Sequence, residues 1–120
     1  MVVLLGFYKR KPGLTHEQFR HLWFTRHAPL IKTIPGIEKY LVRYVQHHLS
    51  PDSQYPTPDG IAFDGFSEVW FTSVEARDEL FSSPFFLKDV IDDESKFIDM
   101  DATRWIVMDE QKVIIPGPGA

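Results

Sequence analysis

An α+β fold of the ferredoxin-like order β-α-β-β-α-β is predicted by three features of the amino-acid sequence. Four segments are rich in β-branched and aromatic residues, two amphipathic helical stretches open on capping sequences, and proline- or glycine-containing turns punctuate the joins. The length of 120 residues suits one domain, read here as residues 1–112 with a C-terminal tail at 113–120.

Val2 to Tyr8 reads as the first strand, and Lys9-Arg10-Lys11-Pro12-Gly13 as a basic turn after it. Thr15-His16-Glu17-Gln18 is a capping box, in which the Thr15 hydroxyl and the Gln18 amide each satisfy an orphan N–H at a helix start. Phe19, Leu22 and Trp23 follow at helical spacing, and Arg26 and His27 continue the same stripe in polar form. Pro29 is expected to bend or end this helix, with a shorter turn from Leu30 to Ile34 running into Pro35-Gly36. Ile37 to His48 reads as one long strand with Tyr40, Val42, Tyr44, Gln46 and His48 on one face.

Residues 49–60 form a polar loop with three prolines. Ile61 to Phe71 is the third strand, in which Asp64, Phe66, Glu68 and Trp70 alternate against Gly65, Ser67, Val69 and Phe71. Thr72 and Glu75 suggest a second capping box, opening a helix from Val74 to Phe81; Ser82-Ser83-Pro84 interrupts it before a further turn to about Ile91. The acidic stretch Asp89 to Asp101 is mixed with Phe97 and Ile98 and so belongs to the folded body. Thr103 to Glu110 is the last strand. In such a sandwich one sheet face meets the helices. Leu41, Val45, Val69 and Phe71, taken as the other face, would leave an apolar patch and predict a homodimer joined through it.

Composition excludes several classes of function. The net charge of −4 and the lack of a basic stripe argue against nucleic acid as a partner. The longest apolar runs are far short of the ~20 residues that span a bilayer, so no membrane association is expected. Zero cysteines exclude disulfides, thiolate nucleophiles, Fe–S clusters and Cys-bound zinc, and no secretory leader is read, so a cytoplasmic location is expected. Ten Phe, three Trp and four Tyr are more than a small core needs to close, which suits an aromatic-walled pocket for a small molecule.

The candidate chemistry rests on histidines and carboxylates. His27, one turn after Trp23 on the inward stripe, is either an acid–base group at a pocket or a cation complementing a helix C-terminus. His47 and His48 face opposite ways, and the tyrosines on the even face select His48. Asp64 either orients a histidine or serves the turn before Gly65. Glu68 either shares that wall or pairs with Arg43 or Arg104 across the sheet, while His16 and His21 read as surface positions. A metal site from His27, His48 and a carboxylate has the composition but no supporting local spacing, so none is expected.

The stretch Glu17 to Tyr44, with Phe19, Trp23, His27-Ala28-Pro29 and Pro35-Gly36, followed by Tyr44-Val45-Gln46-His47-His48, resembles the EthD family of dimeric α+β barrel proteins. FDGFSEVWF at 63–71 and DDESKFIDMDATRWIV at 92–107 resemble two further family segments in the right order. The fungal members associated with aromatic polyketide synthases are the most similar subgroup. The resemblance implies a cofactor-free lyase, a decarboxylase, dehydratase or cyclase, acting on an aromatic polyketide-type intermediate in secondary metabolism. A cofactor-less monooxygenase of the same fold and a non-catalytic small-molecule-binding dimer are the alternatives. In the lyase reading His48, His27 and Asp64 are the catalytic group. Tyr40 and Tyr44 would donate to an enolate oxygen, and Trp23, Phe66, Trp70 and Trp105 would stack on a flat substrate.

Overall fold

The computed structural model describes residues 2–49 and 63–118. The predicted polar loop beyond Leu49 and the start of the third strand at Ile61 lie outside the described residues. Four strands, β1 (Val2–Tyr8), β2 (Leu41–His48), β3 (Gly65–Phe71) and β4 (Arg104–Met108), form one antiparallel sheet in the order β2-β3-β1-β4. This is the expected ferredoxin-like α+β fold. Among the described residues no helix is long and apolar enough to cross a membrane.

The first helical layer begins at α1 (His16–Leu22), where the capping box forms as read: Gln18 N–H donates to Thr15 Oγ1 and Thr15 N–H to Gln18 Oε1. Pro29 does not end this helix. A π-helical turn, Trp23–His27, carries it into α2 (Ala28–Lys32), with Ala28 N–H reaching back to the Trp23 carbonyl. The wider turn changes register just ahead of Pro29, where the missing N–H and the ring would otherwise break the ladder. The second layer has the same construction. Helix α4 (Val74–Phe81) is followed by a π-helical turn, Phe86–Val90, and then α5 (Ile91–Glu94).

Two sequence expectations fail at element ends. Ile37–Tyr40 is a helical turn, α3, and not the start of β2. Gly36 takes φ 68°, a left-handed conformation that turns the chain sharply after Pro35. The cap of α4 is Ser73, whose Oγ accepts from Ala76 N–H, and not a Thr72–Glu75 box; the Thr72 hydroxyl donates to the Lys39 carbonyl and ties α3 to the end of β3.

Both helical layers lie on one face of the sheet. Leu4 and Phe71 pack with Ile34, Leu80 and Val90, while Tyr8 packs with Phe19, Trp23, Phe97 and Ile98. Trp23, Phe19 and Phe71 are fully buried. Pairing Leu4 with Val69 and Val69 with Tyr44 puts the odd residues of β3 and the even residues of β2 on the helix side. The apolar set expected on the outer face is therefore wrong in three of four positions. Val69 and Phe71 face the helices by this register, a shift between Leu41 and Arg43 turns Leu41 inward too, and only Val45 points away. The outer face carries instead Leu5, Phe7, Phe66, Trp70, Ile106 and Met108.

Candidate active site

Between the sheet and the helices lies a cavity of about 350 Å³ with walls that are mainly hydrocarbon, among them Leu4, Ile31, Phe71, Leu80, Phe86 and Val90. Four ionisable groups and one indole interrupt these walls: Tyr8, His27, Tyr44, Glu94 and Trp105. Each is placed by a local feature of the chain. Tyr8 ends the inward row of β1, where Gly6 leaves room for its ring; a methyl group at Gly6 would stand 2.6 Å from the Tyr8 hydroxyl. The first π-turn ends at His27, and α5 after the second carries Asp93 and Glu94.

His27 is 4 % exposed and its Nδ1 lies 3.1 Å from Asp93 Oδ2. Asp93 Oδ1 accepts from Arg26 Nη2 at 2.9 Å. With the guanidinium holding Asp93 as an acceptor, His27 donates its Nδ1 proton, and Nε2 is left with the lone pair. Burial lowers the His27 pKa against the opposing pull of Asp93, so the ring is neutral near pH 7. Its edge packs against Phe97, with ring centroids 5.5 Å apart.

Glu94 behaves in the opposite sense. Burial, then the charge of Asp93, raises its carboxyl to about 7, so a protonated population persists at neutral pH. Burial also holds both phenols neutral: Tyr8 is pushed far up, and Tyr44 to about 12 with Glu94 adding to the shift. The Tyr8 hydroxyl shares a hydrogen bond with Ser67 Oγ at 2.9 Å. One largely apolar cavity thus holds a neutral imidazole with a lone pair on Nε2, a carboxylic acid and two phenolic donors. That set can remove a proton, deliver a proton and hold a developing oxyanion.

The sequence candidates divide. His27, Tyr44 and Trp105 line this cavity. Trp23 lies behind it in the core, touching Tyr8 and Phe19. His48 lines a separate groove on the flank of the first helical layer, its ring 4.7 Å from that of Trp23. Phe66 and Trp70 sit on the outer sheet face, because their register partners Phe7 and Val3 are on the odd side of β1. Tyr40 belongs to α3, not to β2, and its hydroxyl donates to Glu79. Asp64 contacts neither His27 nor His48. Its Oδ1 takes the Arg10 guanidinium and His16 Nδ1, each at 2.8 Å, and its Oδ2 takes Arg10 N–H. Burial alone would raise Asp64, but these donors hold it below the usual carboxylate range. His16 is thus half-buried against Asp64, not a bare surface residue. Glu68 pairs with His47 at 2.6 Å on the outer face, not with Arg43 or Arg104. Among the described residues no three His, Asp or Glu side chains cluster as a ligand set.

Sequence reasoning missed Tyr8, Asp93 and Glu94. The signal for the acids was present: Val90, Asp93, Glu94, Phe97 and Ile98 repeat the spacing of Phe19, Leu22, Trp23, Arg26 and His27. Two carboxyls on the apolar stripe of a helix are as unusual as a histidine there.

Comparison with known proteins agrees with this architecture. A curated relative, the dehydratase ustZ of Ustilaginoidea virens, is 27% identical over 115 residues, covering 87% of this chain and 78% of the relative. An EthD family protein from Bacillus halodurans superposes with a TM-score of 0.68 at 21% identity, over 92% of this chain and 99% of its own. A dimeric protein of ferredoxin-like fold from Bacteroides fragilis superposes with a TM-score of 0.63 at 7% identity, over 91% and 95% of the two chains. The family model for the EthD domain matches residues 11–101. With the model spanning most of the chain, the protein belongs to the EthD family.

Proposed function

We propose that the chain is a dehydratase-type lyase that eliminates water from a flat, largely apolar β-hydroxy carbonyl compound of aromatic polyketide type. The observation that carries the reading is the pairing, in one largely apolar cavity, of the Asp93-held His27 with the protonatable Glu94. The likeness to a dehydratase supports the same class.

Loss of water from such a compound needs a base for the proton α to the carbonyl and an acid for the departing hydroxyl. His27 Nε2 accepts the carbon-bound proton, and the electron pair moves towards the carbonyl oxygen as an enolate. Tyr8 and Tyr44, both kept neutral by burial, donate to that oxygen. The pair then returns to form the C=C bond as the C–O bond breaks, and Glu94 gives its proton to the leaving oxygen to make water. The cycle leaves an imidazolium and a carboxylate, and transfer of one proton from His27 to Glu94 restores both. Asp93 carries none of these protons. It sets the tautomer and stabilises the transient imidazolium while Arg26 keeps it in place. Trp105 and the aliphatic walls supply a face for a planar substrate.

His27→Asn and Glu94→Gln are each expected to lower turnover of an aromatic β-hydroxy ketone by roughly 10²–10⁴. Thermal melting measured alongside separates this from loss of fold. His48→Ala, outside the cavity, is expected to keep kcat within a few-fold. Near-normal turnover in both cavity variants would overturn the assignment.

A further inference from the structure

The first helical layer presents a second concavity, a groove of about 780 Å³ against the β2 edge of the sheet. Phe24, Ala28 and Ile31 give its lining an apolar part, and Arg20 and Lys32, joined by the imidazoles His21 and His48, give it a mostly basic rim. One acid, Glu17, faces them. Among the described residues neither Arg20 nor Lys32 is in an ion pair, although acidic residues outnumber basic ones in this chain. Phe24 is 64 % exposed at the same place, an aromatic ring left in solvent beside unneutralised cations.

The groove adjoins the reaction cavity. Ile31 and Tyr44 border both spaces. Gln46, on the groove side, donates to the Trp23 carbonyl and holds His48 Nε2 through its own Oε1. Tyr44, shared by the two spaces, also feels the charge of Glu94 from the cavity side. A molecule too long for the cavity therefore meets the groove next, across Tyr44.

We propose that this groove binds the carboxylate of an elongated aryl substrate, with Arg20 and Lys32 taking the anionic end while the planar body lies across Tyr44 into the cavity. The inference rests on the cavity being the reaction site, and it narrows the substrate to an acid. Arg20 supplies a planar fork that matches a carboxylate, and Lys32 a mobile point charge. His21 and His48 fill the rim between them. Phe24 offers a face to the aryl part nearest the acid.

The test is binding, not turnover, so that it stands whether or not elimination is the reaction. Calorimetric titration of the unmodified protein at low ionic strength with 2-naphthoate and with its neutral isostere 2-naphthamide should show the acid binding about tenfold more tightly. That preference should fade as salt is raised, because the rim is open to solvent. The double variant Arg20→Gln/Lys32→Gln should bind both probes equally, with its affinity for the amide unchanged. His27→Asn should retain the preference for the acid. Equal affinity of the unmodified protein for the two probes, a preference insensitive to salt, or a preference kept by the double variant would overturn the proposal. Should the double variant misfold, the salt titration of the unmodified protein still decides. Loss of the His27 effect on turnover would remove the dehydratase reading while leaving the naphthoate result intact.

Discussion

Glu94 and His27 show how one cavity shifts two ionisable side chains in opposite directions. Burial disfavours charge on both, which leaves the imidazole a free base and the carboxyl an acid. The carboxyl has a consequence for stability. Its native pKa of about 7 lies above the ordinary 4.5, so between those values the folded state keeps a proton that the unfolded chain has lost. Stability therefore falls as pH rises across that window, and the loss is complete above the native value. The shift corresponds to a cost on the order of 3 kcal/mol at alkaline pH. Glu94→Gln removes the titration, and its thermal midpoint is expected to exceed that of the unmodified chain at pH 8 and to converge with it near pH 4. Parallel midpoints across the range would place Glu94 in water. Little of this was legible from residue types alone. His27 was visible because a histidine on an apolar stripe is conspicuous, whereas Glu94 sat in an acidic run whose inward members are told from its outward ones only by helical phase.

The elements were legible where local chemistry decides them and illegible where long-range pairing does. The Thr15–Gln18 box is local, and it formed as read. Thr72, read as the cap of α4, instead turns its hydroxyl to the Lys39 carbonyl that the fold brings within reach, and Ser73 caps the helix. The parity of β3 could not be read at all, because either face of its alternation is partly apolar and only pairing with β1 and β2 chooses between them. That choice misplaced Phe66 and Trp70 in the cavity and Val69 and Phe71 outside it. Register also fixes Gly65, where Trp23 descends onto the sheet. A methyl group there would stand 2.6 Å from the His47 carbonyl oxygen and 2.8 Å from the Trp23 ring. Neither neighbour can yield, one being backbone and the other a fully buried indole. Gly65→Ala is expected to destabilise the fold by roughly 1–3 kcal/mol in denaturant unfolding, by overpacking. An unchanged midpoint would show that Trp23 does not rest on β3.

At the scale of the whole molecule the open question is the outer sheet face. The homodimer expected from sequence was argued from the wrong residues, yet the physical reason for it survives the correction. Phe66, Trp70, Ile106 and Met108 now occupy that face, and Ile106 and Met108 remain 48 % and 39 % exposed. Charge is confined to a few positions on it, among them Arg43, Glu68 and Arg104, and Glu68 is already engaged by His47. Among the described residues a sheet covered by helices on one side and exposing Ile106 and Met108 on the other leaves an apolar area that water penalises, and a second copy turned face to face removes it. The cavity proposed as the reaction site lies on the opposite side of the sheet, so dimerisation and turnover should separate. Sedimentation at micromolar concentration is expected to give twice the chain mass, burying the more than ~1,000 Å² that a stable interface needs. Ile106→Lys places a charge in the centre of an exposed apolar strand without touching the helix-side core. It should shift the protein to monomer with its far-ultraviolet circular dichroism retained. A stable monomer of the unmodified chain, or an Ile106→Lys variant that sediments as a dimer, would show that the outer face is not where two copies meet.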